Sequence, residues 1–252
     1  MNSVKQNGPK IIFAILIFSL LFFLGCSESD NPAGPTAPKN SDIKVLVLKD
    51  GGTEDSVYSI LNKAGFNVTV GQMYYDFDGK FIIDYDLIIL LNGIDYGQYM
   101  SDSAEVRLKN YVRDGGTLLT TEWMTYSIYY NSNIYKTIRE ILPAQYNGGY
   151  SYNSESYKKI TSHPITDSLS DTLSISNQSW SYSKTIPYAS SLLTDIKVLF
   201  SGNDSGAALT IGQLNKGYVI HWNMAGQYNG ENIWTENVKK ILTNIAGYSG
   251  TN

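Results

Sequence analysis

LKNYVRDGGTLLTTEW (108–123) reads as a helix that stops and a strand that starts. Leu108, Tyr111 and Val112 share one helical face, Asp114-Gly115-Gly116 ends the helix, and TLLTT (117–121) follows as a short buried run. Upstream, Ser101 or Asp102 is placed to cap that helix. Before it, DLIILLN (86–92) is apolar on both faces, as a strand inside a parallel sheet must be. The same unit occurs at the start of the folded part. IKVLVL (43–48) is a strand, and Val57, Ile60, Leu61 and Ala64 give Asp55 to Ala64 a helical spacing closed by Gly65. FNVTV (66–70) is the next strand, with GQMYYDFDGK (71–80) as a loop. Strands that alternate with helices predict an α/β fold, a mostly parallel, doubly wound sheet.

Downstream, Tyr126 to Leu142 has helical spacing up to Pro143. Residues 144–190 are rich in Ser, Tyr and Asn and read as a β-rich insertion or an elaboration of a sheet edge. Three strands follow at IKVLFSG (196–202), AALTIGQL (207–214) and GYVIHWN (217–223), with Asn215-Lys216-Gly217 as a hairpin turn. Glu231 to Ala246 is predicted as a closing amphipathic helix through Trp234, Val238, Ile241, Leu242 and Ile245. No internal repeat is visible. The domain expected from this pattern spans 43–248.

The chain before it has a different character. Lys5 and Lys10 precede an apolar run from Ile11 to Leu24, and Gly25-Cys26 follows. About 20 apolar residues are needed to span a bilayer, so residues 1–25 read as a signal peptide. A cysteine at this point resembles the lipobox of bacterial lipoproteins, with Phe23 and Leu24 in the first two places of the box. That resemblance implies cleavage before Cys26 and acylation of its thiol with diacylglycerol and palmitate. Residues 26–42 would form a flexible tether to the membrane. Ser27 is not the inner-membrane-retaining Asp of some Gram-negative lipoproteins, which points to the outer membrane. The alternative is a secreted protein with a stray cysteine.

Without residues 1–25, 17 Lys and Arg face 23 Asp and Glu, a net charge of −6. Nucleic acid and anionic lipid headgroups are poor partners for such a surface. Cys26 is the only cysteine, so no internal disulfide can form. The 20 tyrosines and four tryptophans supply apolar area with a polar tip, suited to sugars or protein surfaces.

Four segments together carry a family resemblance: YDLIILLNG (85–93), LKNYVRDGGTLLTTEW (108–123), SHPITDSL (162–169) and NKGYVIHWN (215–223). Their order resembles the class I glutamine amidotransferase-like fold, and within it the ThuA-like branch. The resemblance implies an oxyanion-binding glycine loop at Asn92-Gly93 and a nucleophile elbow after strand 117–121. It places Glu122 where the catalytic cysteine belongs, His221 near the catalytic histidine, and Asn223 in place of the third residue, a glutamate. A carboxylate cannot take over thiolate chemistry, so no glutaminase activity is expected.

In such sheets ligands bind at the carboxyl ends of the strands. The residues expected there are Asp50, Asn92, Asp95, Tyr96, Glu122, Trp123, His221, Trp222 and Asn223. Glu122 and His221 could form a general acid/base pair, with Trp123 or Trp222 stacking on a sugar. Alternatively, Glu122 caps the next helix and His221 is structural. Tyr74, Tyr75, Phe77, Tyr129 and Tyr130 could cradle carbohydrate or pack in the core. Two histidines without a free cysteine make no ordinary zinc set, and neither a P-loop nor a dinucleotide glycine motif is present. No metal and no cofactor are expected. Three readings follow: a binding module of the cell envelope, for carbohydrate or protein; a ThuA-like carbohydrate-active enzyme using Glu122 and His221; or a scaffold.

Overall fold

The computed structural model describes residues 38–224 and 234–251. The leader, Cys26, the tether before residue 38 and the expected start of the last helix at Glu231 lie outside the described residues.

A single sheet organises the domain. Its strands are β1 (Lys44–Lys49), β2 (Asn67–Met73), β3 (Leu87–Leu90), β4 (Thr117–Thr121), β5 (Ala144–Lys159), β6 (Thr172–Pro187), β7 (Thr194–Ser201), β8 (Leu209–Leu214) and β9 (Gly217–Trp222). They lie in the order β2-β1-β3-β4-β9-β8-β7-β5-β6. Pairing is parallel from β2 to β9 and antiparallel from β9 to β6. The sheet is therefore mixed, and its parallel half is built from the doubly apolar runs, as expected of strands covered on both faces.

Helices cover both faces. Val45, Val47, Leu87 and Ile89 point to one face, where they meet Val57 and Leu61 of α1 (Glu54–Lys63) and Ile241 and Ile245 of α5 (Glu236–Ser249). Leu46, Leu48, Ile88 and Leu90 point to the other and meet Leu108 and Val112 of α2 (Asp102–Arg113). Ser101 caps α2 by accepting a bond from the Ala104 N–H, and Thr235 does the same for α5 from Val238. Helix α5 thus starts at Glu236, later than the spacing predicts.

The helix predicted over Tyr126–Leu142 is two short ones, α3 (Met124–Tyr130) and α4 (Lys136–Glu140). The Asn131 side chain accepts a bond from the Asn133 N–H at 3.1 Å, a local turn that competes with helix continuation. Tyr135 then adopts a left-handed φ of 49°. The buried carboxylate of Glu105 on α2 accepts from the Thr137 and Ile138 N–H groups, capping α4 from outside.

Residues 144–190 hold the long β5–β6 hairpin, which joins the sheet through only two residue pairs between β5 and β7. The SHPITDSL segment forms its turn region and is a packing element. Ile165 and Leu169 are buried in the first core, and α5 grips the backbone through Asn244 to the Ile165 carbonyl and Lys240 to the Ser168 carbonyl.

Candidate functional site

The chain leaves β1 for β2 on one side and returns to β3 on the other, so the crevice between the carboxyl ends of β1 and β3 is the topological switch point. Asp50 occupies it. One carboxylate oxygen accepts from the Gly52 and Thr53 N–H groups and the Thr53 hydroxyl. The other accepts from the Gly93 N–H at 2.8 Å and the Ile94 N–H at 3.3 Å. Asp50 is fully buried. It ties the loop after β1 to the loop after β3, and it engages the Gly93 amide that the family resemblance cast as an oxyanion donor.

Glu122 follows β4 with a left-handed φ of 37°, an uncommon conformation for a side chain-bearing residue. Its N–H donates to the Trp222 carbonyl at 2.9 Å, and its carbonyl accepts from the Ser183 hydroxyl at 2.8 Å. The next amide, Trp123 N–H, donates to the Asn92 carbonyl at 3.1 Å. The elbow is present in backbone form, and both amides around it are bonded to protein. Helix α3 starts at Met124 with Trp123 in the cap position, and no side chain caps it. Glu122 is therefore not its N-cap.

His221 pairs with Thr120 across β4 and β9, one sheet row before Glu122. Its ring is fully buried, with Nδ1 3.0 Å from the Thr120 hydroxyl and Nε2 without a hydrogen-bond partner. Burial pushes its pKa down to about 3, so the ring is neutral at physiological pH.

Trp222 and Asn223 are buried as well. The Trp222 Nε1–H donates to the Tyr157 hydroxyl, which donates to the Asn223 carboxamide oxygen at 2.6 Å. The Asn223 amide reaches the Ser205 hydroxyl at 3.1 Å. These bonds join β9 to the hairpin and leave Trp222 no open face for stacking. Asn92 is buried with its side-chain amide beside the Tyr74 hydroxyl but outside hydrogen-bond geometry. Asp95 is half-buried, 3.5 Å from the Tyr75 hydroxyl. Tyr74 and Phe77 pack in the second core.

What stands open at this edge is aromatic. Tyr74 donates to the Asp95 and Gln98 carbonyls, Tyr135 to Gln98, and the Ser127 hydroxyl to the Tyr96 carbonyl. These bonds fix the loop after β3 so that Tyr96 lies 5.7 Å from Trp123, centroid to centroid. Trp123 touches Tyr126 at 5.3 Å and Tyr150 at 6.3 Å. Tyr126 touches Tyr130 and Tyr146, Tyr129 touches both, and Tyr150 touches Tyr152. Eight rings thus form one continuous network, and Tyr129, Tyr130, Tyr150 and Tyr152 are each at least half exposed. Burial and neighbouring phenols raise the Tyr126 and Tyr146 pKa values, keeping these hydroxyls protonated.

Four of these rings escaped the sequence reading: Tyr126, Tyr146, Tyr150 and Tyr152. A signal for them was present. Tyr126, Tyr129 and Tyr130 follow i, i+3, i+4 helical spacing, and Tyr150 and Tyr152 alternate along a strand.

Among the described residues, no group of three His, Cys, Asp or Glu side chains could hold a metal ion. A cavity of about 650 Å³ lies at the opposite edge of the sheet, by Phe81, Arg107 and Tyr111. A second, of about 270 Å³, adjoins the tyrosines between α3, α4 and the start of β5.

No protein-family profile and no curated protein matches the chain. Solved structures do. A cytoplasmic protein from Salmonella typhimurium LT2 is similar at 18% identity over 81% of this chain and 98% of that one, with a TM-score of 0.58. A ThuA-like protein from Parabacteroides merdae is similar at 15% identity over 83% and 90%, with a TM-score of 0.57. A GMP synthase component from Thermoplasma acidophilum is similar at 14% identity over 83% and 94%, with a TM-score of 0.55. The fold is ThuA/amidotransferase-like. At these identities the likeness concerns the fold, and function has to be argued from the site.

Proposed function

We propose that the protein is a carbohydrate-binding module of the bacterial cell envelope, carried on an amidotransferase-like domain that has no glutaminase activity. The observation behind the binding role is the continuous tyrosine surface around Trp123. Neutral, exposed rings offer flat apolar area edged by hydroxyls, which matches the faces and rims of sugar rings. Against glutamine hydrolysis stand Glu122 at the elbow and the engagement of the Gly93 and Trp123 amides. The buried, neutral His221 and the filling of the switch point by Asp50 argue the same way.

The test is titration of the full chain with a panel of envelope and plant-type oligosaccharides. Tyr150→Ala and Tyr130→Ala are each expected to weaken binding by about tenfold, in line with about 0.5–1.5 kcal/mol for an aromatic contact beyond its buried area. Equal affinity in both variants and the wild type would sink the proposal.

The enzyme reading rests on one observation, the left-handed backbone at Glu122, since strain of this kind gathers at working sites. Turnover of a bound sugar that is lost in Glu122→Gln with binding retained would favour it.

Envelope anchoring is proposed through Cys26. In a lipoprotein-processing bacterium, Cys26→Ala is expected to leave the membrane fraction and lose incorporation of labelled palmitate. Unchanged membrane association and labelling would refute the anchor.

A further inference from the structure

The cavity between α3, α4 and the start of β5 holds polar atoms that the protein does not use. Thr125 is 2% exposed, and its hydroxyl has no hydrogen-bond partner. A buried, unpaired hydroxyl costs stability unless something occupies the space beside it. Arg139 also lines the cavity. Its Nε–H is buried without a partner, and a single bond from Nη2 to the Ile128 carbonyl, at 3.2 Å, is the guanidinium's tie to the protein. Among the described residues no carboxylate pairs with it. The lining contains no Asp or Glu, so Arg139 is its sole formal charge. Such a lining attracts an anion and has no internal one to offer.

Location narrows the ligand. Tyr129 and Tyr146 line the cavity and also belong to the exposed ring network, with centroids 5.1 Å apart. A ligand lying on the tyrosines would therefore reach the cavity with one end. The volume, about 270 Å³, falls just below the roughly 300–1,000 Å³ of pockets for drug-sized molecules. It suits a single sugar unit. Arginine presents donors in a planar fork that matches a carboxylate.

We propose that this cavity binds the carboxylate of an acidic sugar, a uronic-acid unit, on Arg139 and Thr125, while neighbouring units lie over the exposed tyrosines. The proposal rests on the carbohydrate reading above and names its ligand class.

The experiment is calorimetric titration of the full chain with oligogalacturonate, oligoglucuronate and oligomannuronate. Neutral oligosaccharides of the same three skeletons and one sulfated oligosaccharide serve as comparisons. At least one uronate is expected to bind at least tenfold more tightly than its neutral counterpart. Arg139→Gln is expected to abolish that preference and leave neutral-sugar binding unchanged, and Arg139→Lys to restore only part of it. Thr125→Val, which removes the hydroxyl at nearly constant shape, is expected to weaken uronate binding several-fold. This second variant keeps the test decisive should Arg139→Gln fail to fold. Equal binding of uronates and neutral sugars would overturn the inference while leaving the tyrosine surface as the binding site. A preference for the sulfated ligand alone, or an acid preference that survives both Arg139→Gln and Thr125→Val, would also overturn it. No binding of any sugar would overturn this inference and the carbohydrate function together.

Discussion

Asp50→Ala is expected to destabilise the protein by about 3–5 kcal/mol. The carboxylate is fully buried and accepts five hydrogen bonds, four of them from backbone amides. Each bond to a charged acceptor contributes about 1.5–3 kcal/mol net, and a buried donor left unpaired costs about 1–3 kcal/mol. The Gly93 and Thr53 N–H groups are the buried ones. The Gly52 and Ile94 amides, on exposed residues, can turn to water and soften the loss. Asp50→Asn keeps one acceptor oxygen but puts an amide NH2 against N–H donors, so an intermediate loss of about 2 kcal/mol is expected. Urea unfolding midpoints measure both, and hydrogen exchange at Gly93 and Ile94 reports whether the two loops separate. A loss below about 1 kcal/mol in Asp50→Ala would show that the carboxylate is not what joins β1 to β3.

The role of Asp50 also marks where sequence stops being informative. The alternation of doubly apolar runs with helices is a local pattern, so β1, β3, β4, α1 and α2 are legible from it, as is the Ser101 cap. The position of Asp50 at a strand end is legible too. What its carboxylate faces is not, because Gly93 is brought to it by a parallel pairing 43 residues away in the chain. The same holds for Trp222 and Asn223. Their partner, Tyr157, lies about 65 residues upstream on a hairpin whose pairing leaves no signature in composition. An aromatic residue at a strand end reads as a stacking ring until its partner is known. Helices α3 and α4 fail as one helix for a local reason, the Asn131 turn, which spacing alone overlooks. The tyrosine surface was half legible. The i, i+3, i+4 set on α3 is visible in the chain, but its union with Tyr96, Trp123 and Tyr150 depends on three strand ends meeting at one rim.

Gly217→Ala is expected to cost about 3 kcal/mol or more, for a reason that its place beside a turn conceals. The turn itself is formed by Asn215, at φ 55°, and Lys216, with Leu214 and Gly217 paired across it. Gly217 serves a close approach. A Cβ there would sit 2.1 Å from the Val112 carbonyl oxygen and 2.3 Å from that of Gly116. Both obstacles are backbone, and both are occupied. Val112 accepts the Gly115 N–H that ends α2, and Gly116 accepts the Tyr218 N–H that starts β9. Relief must move either the Gly-Gly turn or the β9 strand, and overpacking a well-filled site costs about 1–3 kcal/mol, occasionally more. Gly247 provides the opposite case. It lies inside α5, and a Cβ there would meet nothing within 4 Å. Gly247→Ala should therefore stabilise by about 0.5–1 kcal/mol, the helix-propensity gain. Denaturant midpoints of the two variants are expected to shift in opposite directions. If both rise, the contact between β9 and the α2–β4 turn is looser than the carbonyl distances imply. The folded fraction of Gly217→Ala should still bind sugar as the wild type does, because neither the Gly-Gly turn nor the start of β9 belongs to the tyrosine network. A fall in affinity at full folding would mean that displacement at the amino end of β9 is transmitted along it to the Trp222 carbonyl, which holds the Glu122 amide beside Trp123.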